Sequence, residues 1–367
     1  MVAALMRRLL ERIPRIPCIS CIPRVPRIPR VPRIPHALRI RCTPLAALGL
    51  AAALALAAAL TVALTAAGSS PARSSARDPR HTRITVGVAA TTDTAPLVLA
   101  IKKGYFKRQG LTVTTKIVAQ ATAGPPDMPS GPVDIVGGGS YVSYFEAAAR
   151  GAKITVVAAA SQCTGNTLNV LAMPKSKIET PADLAGKTIA VNLPGNIQTL
   201  TINALLRDQG VSTAGITYVP IPFAGMPAAL TAGRVDAISA AQPLITAAEG
   251  DGATSVLAQC QGSTVDMPLT GYFASQAWVR KHPRAALAFQ QAIEEAQAAA
   301  DRDPGLVQQV IPAFTGITAD VAERISLPYY PSALDAAQLE RVVALMRSAG
   351  LVGGSFNVTS LLLRPGG

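Results

Sequence analysis

Residues 84–106 read ITVGVAATTDTAPLVLAIKKGYF. The first five residues are a short apolar run of the kind that forms a buried strand, and a polar loop follows them. From Pro96 to Phe106 the apolar residues return at helical spacing, behind a proline that favours the first turn of a helix. This stretch therefore predicts a strand, a loop and a helix in succession, which is how an α/β fold begins.

The same alternation continues along most of the chain. Further strands are predicted at 111–117, 133–136, 154–160, 168–173, 188–191, 216–219 and 236–239. Helices are predicted between them at 141–150, 198–209 and 243–249, and then in succession at 283–302, 304–313, 319–326 and 336–349. Strands that alternate with helices indicate sheets with parallel pairing, followed here by a helical C-terminal part. A length of 367 residues leaves room for two such α/β units.

The formal net charge of +13 lies mostly at the N-terminus. Residues 1–44 contain ten Arg and one acidic residue, whereas the chain beyond Ile84 has 20 basic and 19 acidic residues. The part predicted to fold is nearly neutral and lacks the basic surface that a phosphate backbone requires, so no nucleic-acid partner is expected. Apolar residues make up 49% of the chain, which excludes a disordered protein.

The N-terminal residues have the organisation of an exported protein. Residues 1–44 repeat Arg-Ile-Pro and Arg-Val-Pro triplets, which predict a disordered extension or residues upstream of the true start. Residues 45–68 begin with 23 uncharged residues and are predicted to be a signal peptide or a membrane anchor, and residues 69–83 a linker. No Cys follows the apolar run to accept a lipid. We expect an extracytoplasmic protein, either secreted or held at the membrane by an uncleaved N-terminal segment.

Residues suited to catalysis or metal binding are scarce. Only His282 lies beyond the linker, before a proline at the start of a predicted helix, so no catalytic residue, metal or cofactor is predicted. Cys18 and Cys21 form a C-x-x-C without the strand and helix of a redox motif or the further ligands of a zinc site. Cys163 and Cys260 are either a disulfide or two buried thiols, and the residues alone leave both open.

Two loops combine small or amide residues with the start of a helix. Residues 137–140 read GGGS and residues 192–196 read NLPGN, each after a predicted strand. The first lacks the Lys of a nucleotide-hydrolysing loop and the spaced glycines of a dinucleotide fingerprint. Backbone N–H groups at a helix N-terminus nevertheless favour an anion or a carbonyl, and two such loops would face each other if the two units pack with their strand ends together.

Six motifs occur in a fixed order between about residues 84 and 350. They are Ala95-Pro96, Lys103-Gly104-Tyr105-Phe106, Gly110-Leu111, Val133-Asp134-Ile135, Thr180-Pro181-Ala182-Asp183-Leu184-Ala185-Gly186-Lys187 and Gly233-Arg234-Val235-Asp236-Ala237. As a set they resemble the solute-binding proteins of ABC importers of the nitrate, sulfonate, taurine and pyrimidine-precursor type. The resemblance implies an α/β periplasmic-binding-protein type 2 fold, with two lobes that are each a mixed sheet flanked by helices, two hinge crossovers and a helical C-terminal part.

The same resemblance implies a domain layout and partners. Lobe 1 would comprise residues 84–161 and 262–350, lobe 2 residues 162–261, and the C-terminal tail residues 351–367. Cys163 and Cys260 would then lie in crossovers that run side by side, which favours a disulfide. The protein would be a monomer that captures a small-molecule ligand between its lobes and delivers it to an ABC permease in the membrane.

The candidate ligand-binding residues lie mainly in loops that follow strands. They are Thr91, Thr92, Asp93, Gly138, Ser140, Tyr141, Gln162, Asn192, Asn196, Gln198, Phe223, Gln242 and Tyr272. Among these, Asp93 is the one formal charge, and the loops contain no Lys or Arg. An oxyanion would depend on backbone donors at helix N-termini, whereas Asp93 could equally attract an amine.

The sequence departs from the family it resembles at two carboxylates. Ala224-Gly225-Met226 follows Pro222-Phe223 where the family has Asp-Met, and Gln242-Pro243 stands where the family has an acidic residue before the proline. Residues 124–129 also replace a family helix with prolines. We therefore expect a non-enzymatic solute-binding protein for a small polar organic or oxyanion ligand of the sulfonate, taurine or nitrate class. The alternatives are a membrane-tethered sensor or scaffold on the same fold and a pyrimidine-precursor-type enzyme, which would need a Cys-rich run and a His.

Overall fold

The computed structural model describes residues 82–118 and 133–364. The predictions made for residues 1–81, which include the disordered extension, the export element and most of the linker, lie outside the described residues. The predictions made for residues 124–129 and for the last three residues of the tail also lie outside the described residues. In the described part of the chain, no helix is both long and apolar enough to cross a bilayer.

The apolar runs of the sequence form ten strands in the described residues. They are β1 (Thr82–Val88), β2 (Leu111–Ile117), β3 (Ile135–Ser140), β4 (Ile154–Gln162), β5 (Leu168–Ala172), β6 (Thr188–Val191), β7 (Thr217–Pro220), β8 (Ala237–Ala241), β9 (Thr254–Ala258) and β10 (Pro268–Ser275). A strand lies at every position where the sequence predicts one, and β9 and β10 are additional.

The residues with helical periodicity form twelve α-helices in the same part of the chain. They are α1 (Ala95–Lys102), α2 (Tyr105–Arg108), α3 (Tyr141–Ala149), α4 (Ile197–Asp208), α5 (Met226–Thr231), α6 (Leu244–Gly250), α7 (Gln276–Lys281), α8 (Pro283–Arg302), α9 (Gly305–Gln308), α10 (Pro312–Thr315), α11 (Ala319–Ala322) and α12 (Ala336–Ser348). The single helix predicted at 96–106 is two helices, because Gly104 between them adopts φ +73°.

The first sheet has the strand order β2-β1-β3-β10-β4. β1 pairs in parallel with β2 and β3. β10 lies antiparallel between β3 and β4, and Thr270 near its start pairs with both Ser140 and Ser161. Because β10 follows the whole second sheet along the chain, the first sheet is discontinuous in sequence.

The second sheet has the order β7-β6-β8-β5-β9 and is built entirely from residues 168–258. β6 pairs in parallel with β7 and β8, whereas β5 is antiparallel to β8 and β9. Both sheets are thus mixed and carry helices, which confirms the predicted two-lobe α/β fold class. The assignment of residues 84–161 and 262–350 to one lobe and of 162–261 to the other remains our proposal.

Two crossover segments, residues 163–167 and 259–267, connect the sheets. They run side by side: the Cys163 N–H donates to the Met267 carbonyl at 2.8 Å, and the Gln259 N–H to the Leu168 carbonyl at 2.9 Å. Cys163 and Cys260 are buried and form a disulfide, with their Cα atoms 5.2 Å apart. The crossovers are therefore joined both by hydrogen bonds and by a covalent link.

Two aspartates of the family motifs begin strands in equivalent positions of the two sheets. Asp134 precedes β3 and accepts the Thr85 N–H at 2.8 Å, and Asp236 precedes β8 and accepts the Thr188 N–H at 2.8 Å. Each carboxylate ties its own strand to the neighbouring parallel strand. Both aspartates are thus engaged in holding the sheets together, which explains their place in the two motifs by folding.

The predicted glycine loop at 137–140 is part of strand β3 instead. Residues Ile135–Ser140 are all buried. A Cβ on Gly137 would lie 2.8 Å from the Tyr272 ring, and a Cβ on Gly139 would lie 2.7 Å from the Tyr144 ring. The glycines allow aromatic rings to pack directly on the backbone, so this run does not form the anion-binding loop that the sequence suggested.

The C-terminal helices cover the first sheet. α8 buries one face along its length, and Phe289 on that face stacks on Phe106 with ring centroids 5.2 Å apart and meets Tyr272 edge-on at 5.5 Å. After α12 the chain returns to the sheet, where the Leu363 N–H donates to the Val156 carbonyl of β4 at 2.9 Å. The described part of the tail is therefore packed against the first lobe.

Candidate functional site

A cavity lies between the two lobes at the ends of their strands. From the first lobe it is lined by Thr91, Asp93, Ser140, Leu269 and Thr270, and from the second by Thr167, Leu168, Asn196, Ile197, Gln198, Phe223 and Ala241. The lining therefore combines the loop after β1, the end of β3, the start of β10, a crossover and the first turn of α4. In open α/β sheets this edge is where ligands bind.

The cavity is small. Its volume is about 30 Å³, which is room for about two waters. Two hydrogen bonds join the lobes beside it: the Thr92 N–H donates to the Gln242 carbonyl at 3.1 Å, and the Ile197 N–H donates to Ser140 Oγ at 3.3 Å. A solute of ordinary metabolite size can enter only if the lobes separate and these bonds break.

Asp93 is the charged side chain of the cavity lining. It lies in the short turn of 3₁₀ helix at Thr92–Thr94, between β1 and α1. Its Oδ1 accepts a hydrogen bond from Ser161 Oγ at 2.6 Å, and its Oδ2 accepts one from Thr91 Oγ1 at 2.8 Å. The carboxylate is therefore held by hydroxyl groups from its own loop and from the end of β4.

Burial of the Asp93 carboxylate raises its pKa, and the hydrogen bonds from Ser161 and Thr91 oppose this effect only in part. The negative charge of Asp93 also affects the pKa values of two buried tyrosines. The pKa values of Tyr272 and Tyr330 are raised by burial first and by the negative charge of Asp93 second. Asp93 is only partly exposed, and this partial burial disfavours its ionised form.

Gln198 anchors a buried polar network beneath the second-lobe side of the cavity. Its Oε1 accepts the Asn192 N–H at 2.8 Å and the Asn196 side-chain amide at 2.9 Å. Its side-chain amide donates to Ser239 Oγ at 3.1 Å, and Ser239 in turn donates to Gln259 Oε1 at 2.7 Å. This network connects the start of α4 to the crossover that contains Cys260.

The structure brings six of the thirteen predicted residues to the cavity lining. These are Thr91, Asp93, Ser140, Asn196, Gln198 and Phe223. Four others lie beside it without lining it. Thr92 and Gln242 bond to each other across the lobes, Asn192 bonds to Gln198, and a Cβ on Gly138 would lie 3.8 Å from Asp93 Cβ. That all of these residues bind ligand stays a prediction.

The remaining three predicted residues lie elsewhere. Tyr141 packs against Phe145 with ring centroids 5.4 Å apart, and Tyr272 is fully buried in the same lobe. Gln162 turns away from the cavity, and its side-chain amide donates to the Asp266 carbonyl at 2.8 Å. Both rings belong to the aromatic core of the first lobe, where Tyr141 lies edge-on to Phe273 and Tyr272 lies edge-on to Phe289.

Several residues of the site were not predicted. Thr270 lines the cavity, and its hydroxyl lies 2.6 Å from Ser161 Oγ, which in turn holds Asp93. Thr167 is the last residue of the first crossover, Leu168 follows it, and Leu269 lies just after the second crossover. These residues could have been found from their positions in the sequence, because the residues next to the two crossovers must lie at the cleft between the lobes.

Two larger cavities belong to the first lobe alone or nearly so. One of about 340 Å³ is lined by Tyr141, Ser161, Gln162 and residues 329–339 before and within α12. Another of about 500 Å³ lies near α7, α8 and the C-terminal tail. Neither is lined by residues from both sheets, so the small cavity between the lobes is the candidate functional site.

In the described residues, no group of His, Cys, Asp or Glu is arranged to hold a metal ion. Asp93 has hydroxyl groups as its nearest polar neighbours.

A family model described as NMT1/THI5 like matches residues 91–305. The matched region contains the Asp93 loop, both crossovers and the whole second sheet. Among proteins with curated descriptions, none matches this sequence.

Solved structures share the fold at low sequence identity. The alkanesulfonate-binding protein SsuA from Xanthomonas axonopodis pv. citri, bound to MOPS, is 22% identical with a TM-score of 0.64, over 77% of this chain and 99% of its own. The periplasmic nitrate-binding protein NrtA from Synechocystis PCC 6803 is 15% identical with a TM-score of 0.62, over 77% and 86%. The desulfurization enzyme DSZB is 17% identical with a TM-score of 0.58, over 77% and 96%. These likenesses establish the fold, which binding proteins and an enzyme share.

Proposed function

The chain belongs to the NMT1/THI5-like family, and from this premise we propose that it is the extracytoplasmic solute-binding protein of an ABC importer. It captures a small polar solute between its lobes and delivers it to a permease in the membrane. The observation that carries the proposal is the cavity lined from both lobes, with Asp93 and Ser140 on one side and Asn196 and Phe223 on the other.

The geometry suits a closing movement about the crossovers. In the described residues the chain passes between the lobes through two adjacent segments, and the bonds from Ile197 to Ser140 and from Thr92 to Gln242 lie on the cavity side. A ligand that bonds to both walls adds to these contacts in the closed form, and the lobes release it when they separate. The disulfide keeps the crossovers together during this movement.

A binding role without catalysis is supported by the chemistry of the cavity. Its described lining offers hydroxyls, amides, one carboxylate and one aromatic ring, with no Cys or His. Cys163 and Cys260 are bonded to each other. Because an enzyme shares the fold, the proposal requires that a bound solute is recovered unchanged.

Export and monomeric assembly belong to the same proposal. The uncharged run at residues 45–67, preceded by ten arginines, is what an exported chain needs, whether the run is cleaved or retained as an anchor. A single chain supplies both walls of the cavity, so no second copy is required to complete the site.

The test is a binding screen by thermal shift with the purified protein. Sulfonates, taurine, nitrate, pyrimidines, flavins and amines are added at rising concentration, and hits are repeated by calorimetry. A solute at 100 times its dissociation constant stabilises the native state by about 2.7 kcal/mol, which is a measurable shift. Mass spectrometry of the released solute checks for turnover. If a folded sample shows no saturable shift with any solute, the solute-binding role is wrong and the sensor or scaffold alternative gains support.

A further inference from the structure

Asp93 is a carboxylate without a cationic partner. None of the ion pairs in the described chain includes it, and no Lys, Arg or His is among the described residues that line its cavity. Asp93 is partly buried, and a partly buried carboxylate without a cation is destabilising when ionised, because its surroundings weaken its hydration without replacing it. The described part of the chain therefore supplies no cation that would neutralise Asp93 when its carboxylate is ionised.

The hydroxyl groups around Asp93 are oriented to hold it as an acceptor. An ionised carboxylate only accepts, so Ser161 must donate its single proton to Oδ1. Thr270 must then donate to Ser161, whose oxygen lies 2.6 Å from its own. Thr91 donates to Oδ2. Together with a backbone hydrogen bond, these bonds still leave an acceptor position of the carboxylate for a further donor.

We propose that the ligand carries a cationic nitrogen, an ammonium or amidinium group, which binds at Asp93 in the cavity between the lobes. This inference rests on the proposed solute-binding function and specifies its substrate class. A cation at this position supplies the missing charge partner and uses the unfilled acceptor positions. Phe223 lines the same cavity, and an aromatic face also attracts a cation.

The donors that an anion would need are already used within the protein. At the start of α4, the Ile197 N–H donates to Ser140 Oγ and the Gln198 N–H donates to the Asn196 side chain at 2.9 Å. The Thr92 N–H beside Asp93 donates to the Gln242 carbonyl. An oxyanion would therefore meet the charge of Asp93 with few free donors, so the sequence-based option of backbone donors for an oxyanion loses its support.

The groups that face Asp93 give the proposal a distinct pH dependence. Its own turn contributes Thr91, β4 contributes Ser161, and the titratable groups that feel its charge are Tyr272 on β10 and Tyr330 in the segment before α12. Both tyrosines are neutral across the acidic and neutral range because their pKa values are raised. Affinity for a cation must therefore fall as the pH is lowered and Asp93 takes up a proton. Affinity for an anion must rise over the same range.

The experiment compares cations and anions of matched size on the full chain. Alkylammonium ions and benzamidinium are titrated by calorimetry against alkanesulfonates of equal chain length and benzenesulfonate, at several pH values between 4 and 8, a range chosen around the usual pKa of about 3.9 for Asp. The key variant is Asp93→Asn, which keeps the shape of the side chain and removes its charge. Asp251→Asn is the matched control, because Asp251 is exposed at the end of α6.

The expected result is saturable binding of at least one cation to the wild type and to Asp251→Asn, with affinity that declines as the pH falls. Asp93→Asn should lower that affinity at least about tenfold. If sulfonates bind and the matched cations do not, the cation proposal is overturned while the solute-binding function stands. It is also overturned if a cation binds equally well to Asp93→Asn. If probes of neither charge bind and the broader solute screen also fails, both proposals are overturned together.

Discussion

Replacing both Cys163 and Cys260 by Ala removes the covalent link between the two crossover segments. The disulfide closes a loop with a sequence separation of 97 residues. For a loop of this size, the chain-entropy relation gives a loss of up to about 4.7 kcal/mol in the free energy of unfolding at 25 °C. This loss is a large part of the stability of a typical protein, which is about 5–15 kcal/mol.

Removal of the disulfide should change the free energy of the unfolded state more than that of the folded state. In the folded state the Cys163 N–H still donates to the Met267 carbonyl and the Gln259 N–H to the Leu168 carbonyl, so the crossovers stay adjacent without the bond. Ala avoids a buried hydroxyl at two positions that are almost fully buried. The double variant should therefore keep the native fold and bind solute, while unfolding at a lower urea concentration.

Urea unfolding of three samples measures this loss: the oxidised wild type, the reduced wild type and the double variant. The reduced wild type and the double variant should unfold at similar urea concentrations, and reductant should not change the urea concentration at which the double variant unfolds. Any reductant effect that persists in the double variant must come from Cys18, Cys21 or Cys42 in the N-terminal segment. If the double variant were as stable as the oxidised wild type, the role assigned to the disulfide would be refuted.

Three further variants test individual side chains of the site. The pKa of Asp93 in the folded state is raised above its unfolded value of about 3.9, so the folded state binds the proton more tightly. The free energy of unfolding of the wild type should therefore rise relative to that of Asp93→Asn as the pH falls towards 4, by up to about 1.4 kcal/mol per pH unit. Urea unfolding at a series of pH values measures the difference, and a constant difference would contradict this assignment. Ser140→Ala leaves the Ile197 N–H without its acceptor and should cost about 1–3 kcal/mol in the same assay, whereas Ser143→Ala should cost less than about 0.5, because the Ser143 hydroxyl has no partner in the described part of the chain. Gln198→Met keeps the volume but removes the centre of the second-lobe network, so it should cost more than about 2 kcal/mol, and a smaller loss would show that the network contributes little.

Most of the architecture could be predicted from the sequence because the strands that pair in parallel are short apolar runs with clear breaks. Strands β9 and β10 were missed for different reasons. β9 is exposed at its first two residues, so its apolar run is too short to stand out. β10 begins with a proline and contains Gly271, and both normally argue against a strand. Gly271 is needed there because a Cβ would lie 2.9 Å from the Tyr141 ring, a contact that only the tertiary structure creates.

The sequence predicted the part of the candidate site that lies in loops after parallel strands, because ligands bind at the carboxyl ends of such strands. Loops at the carboxyl ends of β1 and β6 supplied Thr91, Asp93 and Asn196, which all face the cavity. Thr270 was missed because β10 is antiparallel and reaches the same edge with its amino end. Tyr272, which was predicted to face the cleft, does not line the cavity, since two residues further along β10 the side chain is already within the core.

The position of β10 also sets an order in which the lobes can be completed. The second sheet is contiguous in the sequence and has all five strands once residue 258 has left the ribosome. The first sheet at that moment consists of a three-stranded part and an unattached β4, because β10 is the strand that joins β3 to β4. A nascent chain therefore finishes its internal lobe before the lobe that precedes it. Truncation before residue 268 should leave a protein with an intact second sheet and a divided first one.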